Sequence, residues 1–233
     1  MLDFSNSKIL IVGDVMLDKY YFGKVDRISP EAPVPIVNIQ KEESRLGGAS
    51  NVANNIVSLG GHSLLCGVIG HDLFGKEIER ISRHKNIDTF LLKTSSPTIT
   101  KARIIGGKQQ IVRVDYEDKS ELNADNKKLF RDTISRILPE YDILVISDYG
   151  KGLISEDLCR YLIKLAHKYD KKVIIDPKGK NWEKYSGADI VTPNVKELSD
   201  IVGYTVPNTD RAIEKAAREA ITNNHLTALL VTR

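Results

Sequence analysis

The stretch Ile9-Leu10-Ile11-Val12-Gly13-Asp14 decides the fold of this chain. It is a short, β-branched apolar run that stops at a glycine and an aspartate, which is typical of a strand buried on both faces of a parallel sheet. Similar runs recur along the chain and predict four further strands. They are Leu64 to Ile69, Ile143 to Ile146, Val173 to Ile175 and Leu229 to Val231.

Segments with helical spacing separate these runs. They are Ala49 to Leu59, Leu73 to His84, Asn126 to Leu138, Glu156 to Tyr169 and Asp210 to Asn223. Ser155 precedes the fourth helix and can cap it, because its hydroxyl can accept a free backbone N–H of the first turn. Strands that alternate with helices predict an α/β fold, a doubly wound and mostly parallel sheet flanked by helices. We expect one domain over residues 1–233.

Two stretches interrupt this alternation, at about residues 19–40 and 98–115, and both read as antiparallel strand pairs. In the second, Gly106-Gly107-Lys108 separates two strand-like runs, and paired glycines tolerate the positive φ of a tight hairpin. Ser29 to Pro35 reads as a turn in the first. We expect the two pairs to form a small antiparallel β lid over the carboxyl edge of the sheet, which would close over a substrate and offer a surface for a homodimer.

Composition narrows the classes of function. The net charge of +3 arises from 34 basic and 31 acidic residues interspersed along the 233-residue chain, so no basic stripe suggests a nucleic-acid partner. No apolar run approaches the roughly 18 residues that span a membrane, and we expect a cytoplasmic location. Cys66 and Cys159 are far apart in apolar surroundings, which favours buried free thiols over a disulfide or a metal site. An anionic small substrate is compatible with this composition.

Polar residues follow the predicted strands at the edge where parallel sheets bind ligands. Asp14, Asp148 and Asp176 each end or directly follow a strand, and Asn194 follows the next one. Such carboxylates can accept hydrogen bonds from sugar hydroxyls or hold a hydrated Mg²⁺ beside phosphates. The alternative for each is an aspartate that begins a turn or caps a helix. Three together favour a ligand site.

A second candidate site precedes the first helix, at Arg45-Leu46-Gly47-Gly48-Ala49-Ser50-Asn51. The glycines would let a ligand approach the backbone, and the helix N-terminus favours an anion or a hydroxyl. Two glycines before a helix can also serve the fold alone. The run is neither a phosphate loop with Gly-Lys-Ser/Thr nor the Gly-x-Gly-x-x-Gly of dinucleotide-binding proteins, which disfavours dinucleotide binding.

These residues also carry a family resemblance. Gly47 to Asn51, then Leu59-Gly60-Gly61, Gly67 and Gly70-x-Asp72-x-x-Gly75 resemble the first signature of the ribokinase-like carbohydrate kinases. The resemblance extends from Ile9 to Arg233. Within the family it is nearest to the bacterial D-glycero-β-D-manno-heptose 7-phosphate kinases, often half of a bifunctional protein with a nucleotidyltransferase. The segments nearest to that branch are Val12 to Asp18, Arg27 to Pro35, Pro97 to Lys101, Ser147 to Gly152 and Ile175 to Gly179.

The resemblance implies ATP-dependent phosphorylation of the anomeric hydroxyl of heptose 7-phosphate to the 1,7-bisphosphate, a step towards the ADP-heptose of lipopolysaccharide core. Carried over residue by residue, it implies a sugar site and a site for ATP and Mg²⁺, with Glu197 beside the metal. The sugar site would use Asp14, Gly47, Gly48 and Asn51. The nucleotide site would use Lys178, Asn194, Val195, Lys196, Glu197 and Thr232.

The 7-phosphate of the implied substrate requires a cation. Five are available on or beside the lid, namely Arg27, Arg45, Lys101, Arg103 and Arg113. Any of them can instead be a solvated surface charge. Arg103 and Arg113 are favoured because they lie on facing strands of the predicted hairpin.

The chain departs from the family in two respects, a minor one at Arg45-Leu46, where the family commonly has Arg-Pro, and a major one at the catalytic base. The resemblance implies a base, the aspartate of a Gly-Ala-Gly-Asp run at a helix start, and no such run occurs in the sequence. We therefore expect the base to lie beyond Arg233 and these 233 residues to have little or no activity alone. Two alternatives stay open: a kinase for another sugar or sugar phosphate, and a non-catalytic remnant that binds a sugar phosphate or dimerises.

Overall fold

The computed structural model describes residues 3–118 and 120–233. Met1, Leu2 and Lys119, which the predicted domain includes, lie outside the described residues. A seven-stranded parallel sheet forms the centre of the fold, and all five strands predicted from apolar runs belong to it. Its strands are β1 (Lys8–Gly13), β4 (His62–Gly70), β5 (Asp88–Thr94), β8 (Ile143–Ser147), β9 (Lys172–Asp176), β10 (Ile190–Val191) and β11 (Ala228–Leu229). Their order across the sheet is β11-β10-β9-β8-β1-β4-β5.

Six α-helices accompany the sheet in the described part of the chain, and the five predicted ones are among them. They are α1 (Ala49–Ser58), α2 (Leu73–His84), α3 (Ala124–Ile137), α4 (Glu156–Lys168), α5 (Val195–Val202) and α6 (Asp210–Asn224). The cap predicted for α4 is present, because the Ser155 hydroxyl accepts the Leu158 N–H at 3.3 Å. None of the described helices is long and apolar enough to cross a membrane.

The lid is a separate four-stranded sheet in the order β3-β2-β6-β7. Its strands are β2 (Val15–Ile28), β3 (Pro35–Gly48), β6 (Thr100–Gly106) and β7 (Gln109–Tyr116). Both hairpins are antiparallel as predicted, but β2 and β6 pair in parallel, so the sheet is mixed. The reason is topological: β4, α2 and β5 lie between the hairpins and return the chain to the same edge before β6 begins.

Two apolar clusters, one on each face of the central sheet, form the core. The larger contains α3 and α4 together with Phe130, Trp182 and Tyr185, all fully buried. The smaller packs α1 and α2 against β1 and β4. Each large side chain buried in this way stabilises the fold by roughly 1.5–3 kcal/mol. Cys66 and Cys159 are free buried thiols, as predicted, and burial raises the pKa of Cys159 to about 12.

Candidate active site

Two cavities open at the carboxyl edge of β1. The lid cavity, of about 560 Å³, lies between the lid and the start of α1. It is lined by Met16, Asp18, Ser44, Arg45, Leu46, Gly47, Gly48, Asn51, Asn54, Ile81, Lys85, Lys101, Arg103 and Tyr149. Four of the predicted sugar-site residues therefore share one cavity: Gly47, Gly48, Asn51 and Arg103.

The two glycines pack too closely against the first residues of β2 and against Asp14 to carry a side chain. A Cβ on Gly47 would lie 2.6 Å from Asp18 Oδ2, and one on Gly48 would lie 2.4 Å from the Asp14 carbonyl oxygen. Gly48 also has a φ of 54°, which side-chain-bearing residues rarely adopt. Both glycines line the lid cavity together with Asn51.

Asp18 is the carboxylate of the lid cavity, and sequence reasoning did not select it. Its Oδ1 lies 2.5 Å from Arg103 Nη1, and both side chains are about one-fifth to one-quarter exposed, at 24% and 21%. The alternation of side chains along β2 could have identified it, because Met16, Asp18 and Tyr20 share a face. In the lid register Asp18 lies between Arg45 on β3 and Lys101 on β6.

The lid cavity is rich in positive charge. Arg45 and Arg103 lie 4.9 and 5.2 Å from the Tyr20 ring centroid, and Lys101 Nζ lies 5.8 Å from that of Tyr149. With Lys85 they give four cations to one carboxylate among the described lining residues, and Arg45 is also paired with Glu43 at 2.8 Å beside the cavity. A cavity with these groups suits a ligand that carries both an anionic group and hydroxyls.

The other two predicted phosphate ligands lie outside the lid cavity. Arg113 faces Arg103 across the β6–β7 hairpin, but its guanidinium binds Asp115 at 2.8 and 3.0 Å and is half exposed. Arg27 is exposed near the distal end of β2. Of the five candidate cations, Arg45, Lys101 and Arg103 therefore line the cavity, whereas Arg27 and Arg113 lie on the surface.

Asp14 stands apart from the other predicted sugar ligands. Its Oδ2 accepts the backbone N–H groups of Tyr149 and Lys151 at 2.8 and 3.0 Å. Its Oδ1 is buried, and the residue borders a second cavity, which we call the Asp14 cavity. Burial raises the pKa of this carboxyl, and the backbone N–H groups of Tyr149, Lys151 and Leu153 oppose that effect.

Asp148 is held in the interior by a cation and a phenol. Its Oδ2 binds Lys184 Nζ and accepts the Tyr185 hydroxyl at 2.7 Å, and its Oδ1 accepts the Gly150 N–H at 2.8 Å. The Tyr185 hydroxyl also accepts the Lys178 N–H at 2.9 Å. The carboxylate thus links the loop after β8 to the loop after β9.

The predicted nucleotide-site residues gather beyond β9, β10 and β11. Asn194 and Glu197 form a capping box at the start of α5: each side chain accepts the other's backbone N–H, at 2.9 and 3.1 Å. Thr232 bridges to Asn194, and Lys178 Nζ lies 3.0 Å from Glu197 Oε1. Val195 and the exposed Lys196 occupy the first turn of α5.

Asp176 also lies at this edge. Burial, followed by repulsion from Glu197, raises its pKa from 3.8 to about 6. Among the described residues no cluster of three or more metal-ligating side chains is preassembled. Two repelling carboxylates do fit Mg²⁺, which usually takes one or two protein carboxylates and completes its shell with water and phosphate oxygens.

The Gly-x-Asp-x-x-Gly segment has a positioning role. Asp72 caps α2 by accepting the Gly75 N–H at 2.8 Å, and its two oxygens accept the Thr98 N–H and hydroxyl, both at 2.7 Å. Thr98 Oγ1 in turn accepts the Gly70 N–H at 2.8 Å. This network fixes the chain just before β6, the strand that carries Lys101 and Arg103.

The chain resembles known proteins along almost its whole length. The profile described as "pfkB family carbohydrate kinase" matches residues 6–233. The chain is 44% identical over 232 residues to the "Bifunctional protein HldE" of Haemophilus influenzae strain PittEE, covering 99% of itself and 48% of that protein. It is 44% identical over 230 residues to the "D-beta-D-heptose 7-phosphate kinase" of Bordetella bronchiseptica, covering 98% and 72%. It spans about half the length of the first-ranked curated relatives.

Solved structures share the fold. The tetrameric inhibited form of phosphofructokinase-2 from Escherichia coli superposes with a TM-score of 0.76 at 21% identity, over 97% of this chain and 73% of that one. A carbohydrate kinase from Agrobacterium tumefaciens gives 0.70 at 20% identity, over 97% and 70%. At these identities the likeness establishes the architecture, a parallel sheet with a β lid.

Proposed function

Because the chain belongs to the pfkB family of carbohydrate kinases, we propose that it supplies the sugar-binding side and part of the nucleotide side of an ATP-dependent heptose 7-phosphate kinase. The reaction transfers the γ-phosphoryl group of ATP to the anomeric hydroxyl and forms the 1,7-bisphosphate. The observation that carries this proposal is the lid cavity, where four cations and one carboxylate line a single space.

The class of substrate follows from the groups that line that cavity. Gly47, Gly48 and Asn51 offer backbone and amide groups to sugar hydroxyls, and the Asp18 carboxylate can accept two of them. Arg45, Lys101 and Arg103 lie around Asp18 on the lid and suit the phosphate of the sugar. The 44% identical relative named "D-beta-D-heptose 7-phosphate kinase" supports a seven-carbon sugar phosphate.

In this proposal Asp14 supports the site by holding the loop that carries Tyr149, a wall of the lid cavity. Asp18 then makes the carboxylate contact that the sequence assigned to Asp14. Calorimetry with heptose 7-phosphate distinguishes the two roles. Asp18→Asn should weaken the binding enthalpy and affinity together, whereas Asp14→Asn keeps an acceptor for both N–H groups and should alter affinity less.

ATP and Mg²⁺ would lie at the ends of β9, β10 and β11. Glu197 and Asp176 supply carboxylate oxygens for the metal, and Lys178 supplies a cation for phosphates once it leaves Glu197. Asn194 orients Glu197 through the capping box. The bound metal would neutralise charge on the phosphates, while the helix N-terminus at Val195 and Lys196 and the nearby Thr232 line the nucleotide side.

The 233 residues contain no Gly-Ala-Gly-Asp run. In the proposed reaction the anomeric hydroxyl needs a base, and none of the lid-cavity carboxylates is free for it, because Asp18 is paired with Arg103. We therefore expect these residues alone to bind the sugar phosphate but to turn over little or none. Coupled ADP release with heptose 7-phosphate and Mg-ATP tests this, and robust turnover would refute it.

We also propose that the lid forms a homodimer. Every residue of β7 is exposed, although Val112, Val114 and Tyr116 are large and apolar. β7 is also an edge strand, with unpaired backbone groups along one side. Apolar side chains on an open edge favour a second copy of the same surface.

The central experiment compares ligands by calorimetry on the 233-residue chain, using heptose 7-phosphate, the same heptose without phosphate, and fructose 6-phosphate. We expect heptose 7-phosphate to bind most tightly and the loss of its phosphate to cost at least tenfold in affinity, because a charge-assisted contact contributes about 1.5–3 kcal/mol. Tighter binding of fructose 6-phosphate would instead favour a kinase for another sugar.

A further inference from the structure

A buried tyrosine lies beneath the loop that follows β9. All nine tyrosines of the chain fall within the described ranges, and only Tyr185 among them is fully buried. A buried phenol usually has a hydrogen-bond partner for its polar end. The Tyr185 hydroxyl has two, on the segments that follow the neighbouring strands β8 and β9. It therefore joins two loops at the edge where the predicted nucleotide residues gather.

The hydrogen bonds of this hydroxyl form a chain. The Lys178 backbone N–H donates to the Tyr185 hydroxyl oxygen at 2.9 Å, and the hydroxyl donates to Asp148 Oδ2 at 2.7 Å. The Lys178 carbonyl oxygen lies farther from the hydroxyl, at 3.2 Å, and a neutral acceptor is weaker than a carboxylate, so Asp148 receives the proton. The backbone of Lys178 is thus anchored, through Tyr185, to a buried carboxylate.

The same carboxylate holds the loop beside the Lys178 side chain. Asp148 Oδ1 accepts the Gly150 N–H at 2.8 Å. A Cβ built on Gly150 would lie 3.6 Å from Lys178 Cγ, so the two residues are close neighbours. Asp148 therefore fixes both the backbone from which the Lys178 side chain starts and the loop along which that side chain runs.

Trp182 holds the next residue of the same turn. Its Nε1–H donates to the Gly179 carbonyl oxygen at 3.3 Å, and its ring meets that of Tyr185 edge-on, with the centroids 6.5 Å apart. Lys178 and Gly179 are themselves exposed, yet each is bound to an aromatic side chain of the core. A surface turn held in this way keeps one conformation, which a ligand-binding group requires and a solvated lysine does not.

The ammonium of Lys178 can exchange its present partner for a phosphate. Its Nζ lies 3.0 Å from Glu197 Oε1, and the side chain is 51% exposed. An ion pair as exposed as this contributes little by itself. A lysine loses rotamer freedom when it binds an anion, and a side chain whose start is already fixed loses less. Anchoring of Lys178 therefore favours phosphate binding.

We propose that Tyr185 is a positioning residue for the nucleotide phosphates, which it does not touch and on which it acts through Lys178. The inference rests on the proposed nucleotide side at the ends of β9, β10 and β11. The phenol transmits the constraint from the buried Asp148 carboxylate to the Lys178 backbone. Tyr185 does not line the lid cavity, so loss of its hydroxyl should weaken nucleotide binding and leave sugar phosphate binding unaltered.

A double-variant cycle tests whether Tyr185 acts through Lys178. Calorimetry on the 233-residue chain measures the affinity for the Mg²⁺ complex of the non-hydrolysable β,γ-imido analogue of ATP. Tyr185→Phe should weaken it about fivefold, the loss of one hydrogen bond, and Lys178→Met about tenfold, the loss of a charged contact. The double variant should bind about as weakly as Lys178→Met alone, because the anchor then has no cation to position. Independent effects would instead multiply to about fiftyfold.

Phe130→Leu is the control for a general loss of packing. Phe130 is fully buried in the same apolar cluster as Tyr185, but its ring contacts Phe90 on β5, at the far edge of the sheet. This variant should change nucleotide affinity less than about twofold. Affinity for heptose 7-phosphate should likewise stay within about twofold in both Tyr185→Phe and Phe130→Leu.

Amide hydrogen exchange measures the anchor without any ligand. The Lys178 N–H loses its acceptor in Tyr185→Phe, so it should exchange at least about tenfold faster there than in Phe130→Leu, which reports the effect of lower stability alone.

Three outcomes would overturn the inference: unchanged nucleotide affinity in Tyr185→Phe, a loss of about fiftyfold in the double variant, or equal exchange of the Lys178 N–H in Tyr185→Phe and Phe130→Leu. Each of them leaves nucleotide binding by the unsubstituted chain in place, and with it the proposed function. Absence of nucleotide binding by the unsubstituted chain would instead contradict the proposed nucleotide side, and this inference with it.

Discussion

Arg103 Nη1 lies 2.5 Å from Asp18 Oδ1, and the two residues are on the neighbouring parallel strands β6 and β2 of the lid. The pair sets an anion-binding group beside a hydroxyl-binding group within one cavity. Both side chains are accessible enough to exchange part of this contact for a ligand, at 21% and 24% exposure.

Replacement of Arg103 by glutamine should lower heptose 7-phosphate affinity by about ten- to a hundredfold, because it removes a charged hydrogen-bond donor worth about 1.5–3 kcal/mol. Arg113→Gln is the matched control. Arg113 lies directly opposite Arg103 on β7 but binds Asp115 outside the cavity. The affinity of Arg113→Gln for heptose 7-phosphate should therefore change less than about twofold. Calorimetry measures both affinities, and equal losses would contradict the placement of Arg103 inside the cavity and Arg113 outside it.

Lys184→Met should destabilise the fold by about 3 kcal/mol. The substitution leaves the Asp148 carboxylate, whose side chain is 1% exposed, without its cation, and breaking a buried pair in this way costs about 3–5 kcal/mol. Urea unfolding gives the difference. The double variant Lys184→Met with Asp148→Asn should recover part of it, since the buried charge is then gone. A loss of under 1 kcal/mol for Lys184→Met would argue against a buried pair.

Asp176→Asn should raise stability at pH 7.5 by about 1 kcal/mol and have no such effect near pH 4. The pKa of Asp176 is raised to about 6, so the folded chain keeps a proton that the unfolded chain releases near 3.8. Retention of this proton stabilises the folded chain at low pH, and the stabilisation is lost as the pH rises through 6. The magnitude is less than the full shift implies, because the carboxyl is partly exposed. Thermal unfolding in Mg²⁺-free buffer measures it.

Asp189→Asn provides the opposite control for that experiment. Burial alone would raise the Asp189 pKa, but hydrogen bonds from Lys172, the Val173 N–H and His167 outweigh it and lower the pKa. The ionised Asp189 carboxylate therefore stabilises the folded chain at neutral pH, and this stabilisation is lost as the pH falls below 3.8. Asp189→Asn should therefore destabilise the chain at pH 7.5. The same sign for both variants would refute the assignment of the two shifts.

Val112→Asp should convert the lid dimer into a monomer, because it places a charge on the exposed apolar edge strand. Leu129→Asp on α3 is the control, since its exposure of 48% resembles the 45% of Val112. Light scattering coupled to size-exclusion chromatography should give a dimer mass for the control and a monomer mass for Val112→Asp. A monomer mass for the unsubstituted chain would contradict the proposed lid dimer.

The apolar runs and helical periodicity predicted most of the central fold, and the reason for each miss is local. β5 is an edge strand whose sequence, Asp-Thr-Phe-Leu-Leu-Lys-Thr, is only partly buried and contains an apolar run of three residues without a β-branched one. α5 has eight residues, and its Asn-x-x-Glu start was interpreted as a ligand motif although it also forms a capping box. Elements this short contain too few helical turns or strand alternations for hydrophobic periodicity to identify them as helix or strand.

The site was less predictable, because it depends on which way side chains turn at a strand end. Asp14 and Asp18 are four residues apart and both were visible in the sequence. The crossing from β1 into β2 turns Asp14 towards Tyr149 and Lys151, while the pleat of β2 directs Asp18 towards Gly47. Only the register of β2 with β3 and β6 separates the two carboxylates, and register is a long-range property.

The parallel pairing of β2 with β6 has a consequence for how the chain folds. β2 can form its hairpin with β3 as soon as residue 48 is available, but its other edge must wait until β4, α2 and β5 have returned the chain to position β6. Contacts of such long sequence separation form slowly. During synthesis the first half of the lid therefore has an open edge for the time needed to make about fifty further residues, and this is the interval in which it is most exposed to mispairing with another chain.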